Sequence, residues 1–427
     1  MKRVIIIIVI AIAVVIIMLI GYLLRYPCEQ QPFPPVLGIF LRFRCAAPAT
    51  GELPEPAGRL PTVPGTPAQN IPGQPEGGTA QPEFPQAQKF GVVSNEVVSD
   101  FFVDNQNNVI AVQPDGKIIK IAGGQTTLLT DSVIDNFIAS AFSFDGKKIL
   151  VTFGDLKNTL ASVFDVGTKS WQPLPAGIQS PSWSPKDYNI AYFAPAGTAA
   201  NLTILDLGNP KAKPLTILKF NQQALKINWV SPNQMLFNEP GSASVKSSLW
   251  GFSLKEKIFT PILEDWPGLD FIWDGDANQG LVFASNSSKK GGWLSLVDKG
   301  GAVFEKLNFL TLASKCSFGI ETKTTTTAAI ATATRSSAEV ITRFLVCAIP
   351  RDTQKLGLRT LPDAYEKKAV FTTDDFYAIN LTNGEVRAIF ADPSQVLDAR
   401  PLKVFNKRLF FINRFDQKLY AISLFGL

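Results

Sequence analysis

Two pairs of carboxylates are the residues whose spacing best suits acid–base or metal chemistry. They are Asp274-Gly-Asp276 and Asp374-Asp375. Paired carboxylates can bind calcium or act as an acid and a base, but a calcium loop repeats further oxygen ligands, which neither pair has. Turn formation explains both pairs better, because Asp favours tight turns between strands. We therefore expect no metal site and no cofactor.

Histidine is absent from all 427 residues, and its absence excludes several kinds of active site. It removes Ser-His-Asp and Cys-His nucleophiles, the histidine general base and His-containing zinc sites. No G-x-S-x-G elbow, phosphate-binding loop or dinucleotide glycine fingerprint occurs either. Only lysines and carboxylates remain for chemistry, so no catalytic residue is assigned and binding is favoured over catalysis.

Four cysteines, Cys28, Cys45, Cys316 and Cys347, complete the reactive side chains. In an exported chain they suggest disulfides, and four cysteines allow three pairings. The first two bracket a short loop and the last two fall in neighbouring strands of one predicted blade, which favours pairing 28 with 45 and 316 with 347. Free buried thiols remain the alternative, above all for the second pair if the cell lacks oxidising machinery.

The charge pattern gives no sign of a nucleic-acid partner. The formal charge of +5 is spread thinly over a chain in which 18% of residues are charged. No run of five or six basic residues could follow a phosphate backbone.

The N-terminus indicates a membrane anchor over residues 1–25. Met1-Lys2-Arg3 precedes an uncharged apolar run, residues 4–24, whose length suits a helix crossing a bilayer core of about 30 Å. No A-x-A-like cleavage site follows, so a retained signal-anchor is favoured over a cleaved signal peptide or a buried core helix. The positive-inside rule then predicts a cytoplasmic N-terminus and an extracytoplasmic remainder.

Two segments connect this predicted anchor to the rest of the chain. Residues 26–45 mix apolar side chains with arginines, and either lie on the membrane surface or pack on the anchor or the next domain. Residues 46–89 are rich in Pro and Gly and nearly free of aromatic residues. No core can form there, which predicts a disordered, extended spacer with an upper reach of about 3.1 Å per residue.

Residues 90–427 show internal repeats that predict the fold. Four aromatic anchors, Phe142, Trp183, Trp229 and Trp273, each end an apolar strand and recur at intervals of 41, 46 and 44 residues. A period of about 40 to 45 residues with four short strands is typical of β-propeller blades. We interpret the anchors as packing between blades rather than as a stacking platform for sugars or peptides.

Counting these units predicts an all-β domain with seven blades. A second landmark, interpreted as the next strand and the end of each unit, is typified by Val163-Phe-Asp165. The units lie near 97–130, 136–174, 178–218, 224–264, 268–308, 311–391 and 396–426. The last has only three strands, so we expect a strand at 89–94 to complete it and close the ring, because an open ring would expose sheet edges that invite aggregation.

The sixth unit is nearly twice as long as the others. The excess consists of the Thr- and Ala-rich residues 322–338 and the loop 351–368. We interpret both as insertions into one blade. The first could be a partner-binding loop, a β-rich extension of the blade or a mobile segment with no role.

Two repeat elements resemble a known family. Trp183-Ser-Pro-Lys-Asp187 and Phe142-Ser-Phe-Asp-Gly-Lys-Lys-Ile-Leu150 resemble the strand-and-turn of WD40-like repeats in TolB-type propellers, over roughly residues 97–426. Lys315-Cys-Ser-Phe318 and the strands after it look like the last blades of uncharacterised bacterial membrane-anchored propellers with a Pro-rich linker. The resemblance implies an architecture and a topology, not a reaction.

The sequence thus leads us to expect a single-pass cell-envelope module that binds a protein or a glycan or serves as a scaffold in an envelope assembly. Propeller loops offer a broad preformed surface at little ordering cost. The alternative is a propeller hydrolase or lyase that uses carboxylates or lysines at the mouth of the central channel. Titratable side chains converging there with shifted pKa values would favour the enzyme.

Overall fold

The computed structural model describes residues 90–155, 158–221, 225–326 and 337–424. These residues form seven antiparallel four-stranded sheets that follow one another along the chain. The chain therefore folds as the predicted seven-bladed all-β propeller. The predicted membrane span at 4–24, the juxtamembrane segment at 26–45 and the spacer at 46–89, with Cys28 and Cys45, lie outside the described residues.

Each of blades 1 to 6 is a meander whose first strand is innermost. The strands of blades 1 to 3 are β2 (Asp100–Val103), β3 (Val109–Val112), β4 (Ile118–Ala122), β5 (Gln125–Thr130), β6 (Phe137–Phe142), β7 (Lys148–Asp155), β8 (Asn158–Asp165), β9 (Ser170–Pro173), β10 (Gln179–Trp183), β11 (Asn189–Ala196), β12 (Ala199–Asp206) and β13 (Leu215–Phe220). Those of blades 4 to 6 are β14 (Lys226–Ser231), β15 (Gln234–Asn238), β16 (Lys246–Ser253), β17 (Ile258–Pro267), β18 (Asp270–Trp273), β19 (Gln279–Ser285), β20 (Gly292–Asp298), β21 (Val303–Leu307), β22 (Cys316–Thr326), β23 (Ser337–Pro350), β24 (Asp374–Asn380) and β25 (Val386–Phe390).

Blade 7 is shared between the two ends of the described chain. Its inner strands are β26 (Ala399–Phe405), β27 (Arg408–Asn413) and β28 (Lys418–Ser423), and its outer strand is β1 (Phe90–Val97). Strand β1 runs antiparallel to β28, with Phe90 opposite Ile422 and Val92 opposite Tyr420. The predicted closure is confirmed, and it pairs the edge that an open ring would expose.

Burial and turn chemistry explain why these segments form blades. The second strands are apolar and buried, as in β3 and β15. Most residues of fourth strands such as β5 and β21 are exposed to solvent. Asp145-Gly146 makes a tight turn between β6 and β7, and Gly146 has a φ of 72°, a conformation that favours glycine. The interiors between blades fill with aliphatic and aromatic side chains, so each blade is stabilised by its neighbours.

The antiparallel meanders sort the connections onto two faces. Connections between first and second strands, and between third and fourth strands, lie on one face, which we call the turn face. Connections between second and third strands, and from one blade to the next, lie on the other face. The longest of these is residues 351–373, between β23 and β24. We call it the insertion segment and its side of the propeller the insertion face.

Blade 6 departs from the repeat in the two predicted places. Strands β22 and β23 continue pairing out to Thr326 and Ser337, so the described part of the Thr-rich insertion is a β-rich extension of the blade. The insertion segment contains two short helices, α1 (Thr353–Gly357) and α2 (Asp363–Glu366), which a search for helical periodicity missed because each has about one turn. The second repeat landmark was also misplaced: Val163 lies in the third strand of its blade, and a fourth follows.

Candidate functional site

The four repeat anchors lie in the inner strands of consecutive blades. Phe142, Trp183 and Trp273 end β6, β10 and β18, and Trp229 lies near the end of β14. The indole Nε1 of Trp183 donates a hydrogen bond of 2.9 Å to the carbonyl of Ala141 in the preceding blade. Trp183 and Trp229 are buried, and Trp273 packs against the apolar core of blades 4 and 5. These contacts hold blades together.

Cys316 and Cys347 lie opposite each other in β22 and β23, with their Cα atoms 4.1 Å apart. Their sulfurs, 2.11 Å apart, form a disulfide. Both residues are buried, so the disulfide lies within the core of blade 6, directly after Lys315.

The first acidic pair has the turn role that its sequence suggested. Asp274 accepts a hydrogen bond of 2.7 Å from the backbone N–H of Asn278. Arg343 then pairs with both carboxylates, at 3.4 Å from Asp274 and 2.7 Å from Asp276. Among the described residues, no group of three or more Asp, Glu, Cys or His side chains is placed to hold a metal ion.

The turn interpretation is wrong for the second acidic pair. Asp374 and Asp375 are the first residues of β24, and strand geometry sends their side chains to opposite faces of the sheet. Asp375 accepts a hydrogen bond of 2.8 Å from Arg351 near the surface. Asp374 is fully buried and belongs to a charged cluster that the sequence did not reveal.

Lys315 is the centre of this buried cluster. Its ammonium Nζ lies 2.6 Å from Asp374 Oδ2, 2.7 Å from Asp398 Oδ1, 2.7 Å from Thr372 Oγ1 and 3.2 Å from the Tyr365 hydroxyl. All five side chains are buried. A single-turn 3-10 helix immediately before β22 carries Lys315. Asp374 begins β24, and Asp398 precedes β26, so the lysine joins blade 6 to blade 7.

Arg414 supplies the second cation of the cluster. Its guanidinium lies 2.7 Å from Asp398 Oδ2, donates a bond of 2.9 Å to the Tyr365 carbonyl, and stacks 3.7 Å from the centroid of the Tyr365 ring. Two cations therefore face two carboxylates, which compensates charges that would be costly to bury alone. The Lys315 cluster consists of Lys315, Tyr365, Thr372, Asp374, Asp398 and Arg414.

The protonation of the Lys315 cluster argues against a substrate site. Burial by itself would lower the pKa of Lys315, but the Asp374 carboxylate, followed by Tyr365 and Asp398, outweighs burial and raises it. A catalytic lysine that acts on an outside substrate needs the opposite shift and an open approach. Lys315 has neither, so the cluster serves the structure around it.

The cluster fixes one end of the insertion segment, and further bonds fix the rest to other blades. Asp363 accepts hydrogen bonds of 2.9 Å from the Ser242 hydroxyl and 2.7 Å from the Ala243 N–H in blade 4. The Arg359 carbonyl accepts a bond of 2.9 Å from the N–H of Gly291 in blade 5. The insertion segment therefore crosses from blade 6 over blades 5 and 4 as a fixed element.

Apolar side chains are exposed on this fixed face. Leu358 is 70% exposed, Val396 55%, Phe415 48% and Phe371 39%. The rings of Phe371 and Phe415 stack with their centroids 5.2 Å apart, and the guanidinium of Arg414 lies 4.6 Å from the Phe371 ring centroid. Among the exposed cations of the insertion segment are Lys355, Arg359, Lys367 and Lys368.

The inner strands carry polar side chains that bridge neighbouring blades. Lys403 Nζ in blade 7 lies 2.9 Å from Asp100 Oδ1 in blade 1. Asp270 Oδ2, at the start of β18, accepts bonds of 2.9 Å and 3.0 Å from the N–H and hydroxyl of Ser314. Burial raises the pKa of Asp270, and Arg400 opposes that shift. Inner-strand charges such as these are thus engaged between blades, and Asp270 is an inner-strand carboxylate whose pKa is raised.

The turn face carries a pocket of about 370 Å³ at the base of the β22–β23 hairpin. Phe318, Phe344 and Phe405 supply its apolar wall, and Asp276 and Arg343 part of its polar rim. Asp276 and Arg343 already pair with each other, so the pocket offers its apolar wall and, as a further charged group of the lining, Lys407.

Sequence reasoning missed Lys315, Tyr365, Asp398 and Arg414. Lys315 is an isolated charge in the apolar stretch from Leu310 to Phe318, beside a core strand. That position is the one signal in the sequence for a buried, paired lysine. Its partners come from three separate connections, and no periodicity links them.

Comparison with known proteins finds similarity of structure but not of sequence. No protein-family model and no curated protein matches the chain. The β-propeller domain of the Trilobed protease from Pyrococcus furiosus is 13% identical, with a TM-score of 0.46 over 78% of this chain and 96% of that chain. The tricorn protease is 9% identical, with a TM-score of 0.46 over 80% of this chain and 34% of that one.

TolB from Acinetobacter baumannii is 10% identical, with a TM-score of 0.34 over 78% of this chain and 64% of that chain. At such identities the likeness concerns the fold alone. In the part of the chain that the structure describes, no helix has the length and apolar character to cross a bilayer.

Proposed function

We propose that the chain is a membrane-anchored extracytoplasmic module that holds a protein partner on its insertion face. The observation that carries this proposal is the exposed apolar group of Leu358, Phe371, Val396 and Phe415 on a face fixed by buried charges. Aromatic and aliphatic side chains on a preformed surface suit binding, because little conformational freedom is lost on association.

The geometry favours a protein over a glycan. Sugars stack on open aromatic faces, but the Phe371 ring already stacks on Phe415 and contacts the Arg414 guanidinium. Leu358 and Val396 offer aliphatic surface, and the exposed lysines and arginine of the insertion segment complement acidic side chains. The expected partner surface is therefore apolar with an acidic rim.

The anchor and spacer belong to the same proposal. Residues 4–24 have the composition of a membrane span, and residues 46–89 that of an extended spacer. Together they would keep the propeller at a membrane and give it reach toward a partner in the cell envelope.

Site-specific photo-crosslinking in cells tests the proposal. A photoreactive amino acid replaces Leu358 in the full-length chain, and a matched chain carries it at Ile258, which is 55% exposed on the turn face. We expect position 358 to crosslink one envelope protein reproducibly and position 258 not to do so. Equal yields of the same product from both positions would contradict the proposal, and retention on envelope glycan without protein crosslinks would favour a glycan partner.

The rival function, a propeller hydrolase or lyase, has one observation in its favour. Asp270 is half-buried, and burial raises its pKa, as a general acid requires. Turnover of envelope polysaccharides or peptides that is abolished by Asp270→Asn would support this alternative.

A further inference from the structure

The arrangement of the Lys315 cluster points to a covalent bond as well as ion pairs. We propose that the Lys315 amine condenses with the Asp374 carboxyl to form an intramolecular isopeptide bond, with Asp398 as the carboxylate that transfers protons. The amine lies 2.6 Å from one carboxylate and 2.7 Å from the other, and all three groups are buried. This inference is independent of the proposed function.

The surroundings favour the condensation. In water an amine and a carboxylate stay ionised and apart, and hydrolysis opposes amide formation. At a buried site both charges are costly to maintain, and an amide replaces them with a neutral group. The folded chain also holds the two reacting groups in contact, which removes most of the entropic barrier to their reaction.

Hydrogen bonds assign different roles to the two carboxylates. Asp398 accepts bonds of 2.6 Å from the Tyr365 hydroxyl and 2.7 Å from Arg414, which stabilise it as an anion. Asp374 Oδ1 is buried and has no hydrogen-bond partner, and burial raises the pKa of Asp374. Asp374 is therefore the carboxyl that accepts a proton and becomes the electrophile.

The reaction needs no oxidant, reductant or cofactor. A proton moves from the Lys315 ammonium to Asp374, which leaves the net charge of the cluster unchanged. The amine attacks Asp374 Cγ to form the C–N bond, and negative charge develops on Oδ2, to which the Ala399 N–H donates at 2.9 Å. Asp398 takes a proton from the nitrogen and passes it to the hydroxyl, the C–O bond breaks and water leaves. Asp398 ends as a carboxylate.

The raised pKa of Lys315 limits the rate of this reaction. Because the neighbouring carboxylates favour the ammonium, the neutral amine is a minor form, and the bond forms slowly and once, after folding. The product joins the turn before β22 to the first residue of β24. It ties down the end of the insertion segment in the blade that also contains the Cys316–Cys347 disulfide.

Peptide mass spectrometry of the full-length chain tests the proposal. The detergent-purified protein is unfolded, reduced and digested with trypsin. We expect peptide 307–323 joined to peptide 369–387, at their summed mass less one water, with no cleavage after Lys315. Recovery of separate peptides, with cleavage after Lys315, would overturn the proposal.

The chain contains a matched control pair for the same digest. Lys148 Nζ lies 2.6 Å from Asp165 Oδ2, but both side chains are partly exposed, at 15% and 29%. This pair should remain unlinked. A link at Lys148 as well would show that proximity alone is sufficient, which would overturn the role given to the buried site.

Two variants test the assigned roles. In Asp374→Asn the same amide forms with release of ammonia, so the joined peptides have the wild-type mass, whereas peptide 307–323 joined instead to peptide 388–403 with loss of water would place the link at Asp398 and overturn the assignment. Asp398→Asn keeps both reacting groups and should leave most of the chain unlinked. Wild-type linkage in that variant would remove Asp398 from the mechanism. The wild-type digest remains decisive even if a variant folds poorly.

Discussion

Two junctions between neighbouring blades are built from opposite kinds of side chain. Between blades 3 and 4, phenylalanines pack ring against ring, with the Phe193 and Phe237 centroids 5.9 Å apart and those of Phe220 and Phe237 5.6 Å apart. Between blades 6 and 7, Lys315 and Arg414 meet Asp374 and Asp398. At the aromatic junction each apolar contact adds to the stability by itself. At the charged junction the loss of one partner leaves a buried charge uncompensated, so its stability depends on every partner being present. The charged junction also fixes an added segment, which the aromatic one does not.

Removing one carboxylate from the charged junction should have the largest effect. Asp398→Ala leaves Lys315 and Arg414 with a single buried counter-charge, so we expect the free energy of unfolding to fall by about 3 to 5 kcal/mol. Urea denaturation measures the loss. Limited proteolysis should then cut within residues 351–373. The matched variant Asp276→Ala breaks an exposed pair and should cost less than about 1 kcal/mol; a similar cost for both variants would contradict the comparison.

A cavity in the aromatic junction should be nearly as costly but more local in its consequences. Phe237 is fully buried, and Phe237→Ala should lower the free energy of unfolding by about 3 kcal/mol or somewhat more, from lost apolar burial and the cavity left behind. The insertion segment should stay as resistant to protease as in the wild type. New cleavage within residues 351–373 would show that the two junctions are not independent.

A change on the exposed side of the insertion segment should affect binding and spare stability. Leu358→Asp places a charge in the proposed contact surface, and we expect crosslinking to the partner, with the photoreactive group moved to Val396, to drop at least tenfold, or by about 1.4 kcal/mol or more. Urea denaturation should show that the free energy of unfolding changes by less than about 0.5 kcal/mol. Ile258→Asp on the turn face is the control, and an equal loss there would indicate a general effect.

The smallest effect should come from a partly exposed ion pair and should depend on pH. The hydrogen bond from Lys148 lowers the pKa of Asp165 to about 2. Because the folded pKa lies below the unfolded one, the pair stabilises the fold above about pH 4, and that contribution disappears as the pH falls toward 2.

Asp165→Asn should therefore cost less than about 1 kcal/mol at pH 7, since solvent screens the pair. It should also weaken the loss of stability between about pH 4 and pH 2. Urea titrations of both proteins across this range measure the difference, and parallel curves would contradict the assignment.

The sequence predicted the parts of this molecule that repeat. Phe142, Trp183, Trp229 and Trp273 recur at one strand position because each blade must pack against the next, and that requirement leaves a period in the chain. Closure by β1 followed from the missing fourth strand of blade 7, because an unpaired edge is unfavourable.

The Lys315 cluster could not be predicted in the same way. It occurs once, and Lys315, Tyr365, Asp398 and Arg414 come from four connections that only the packing of blade 7 on blade 6 brings together. Asp374 was noticed as half of an acidic pair, yet its neighbour Asp375 suggested a turn. When two adjacent residues of a strand are charged, one side chain can point into the core and the other toward the surface. The sequence does not indicate which residue each of them will contact.

The pairing of β1 with β28 has a mechanical consequence. Strand β1 begins at Phe90 on the turn face and runs toward the insertion face, antiparallel to β28. A pull on the chain ahead of Phe90, against a partner held on the insertion face, would act along the strand axes. The hydrogen bonds between β1 and β28 would then be strained in shear and resist together, instead of opening one after another as they would under a peeling force.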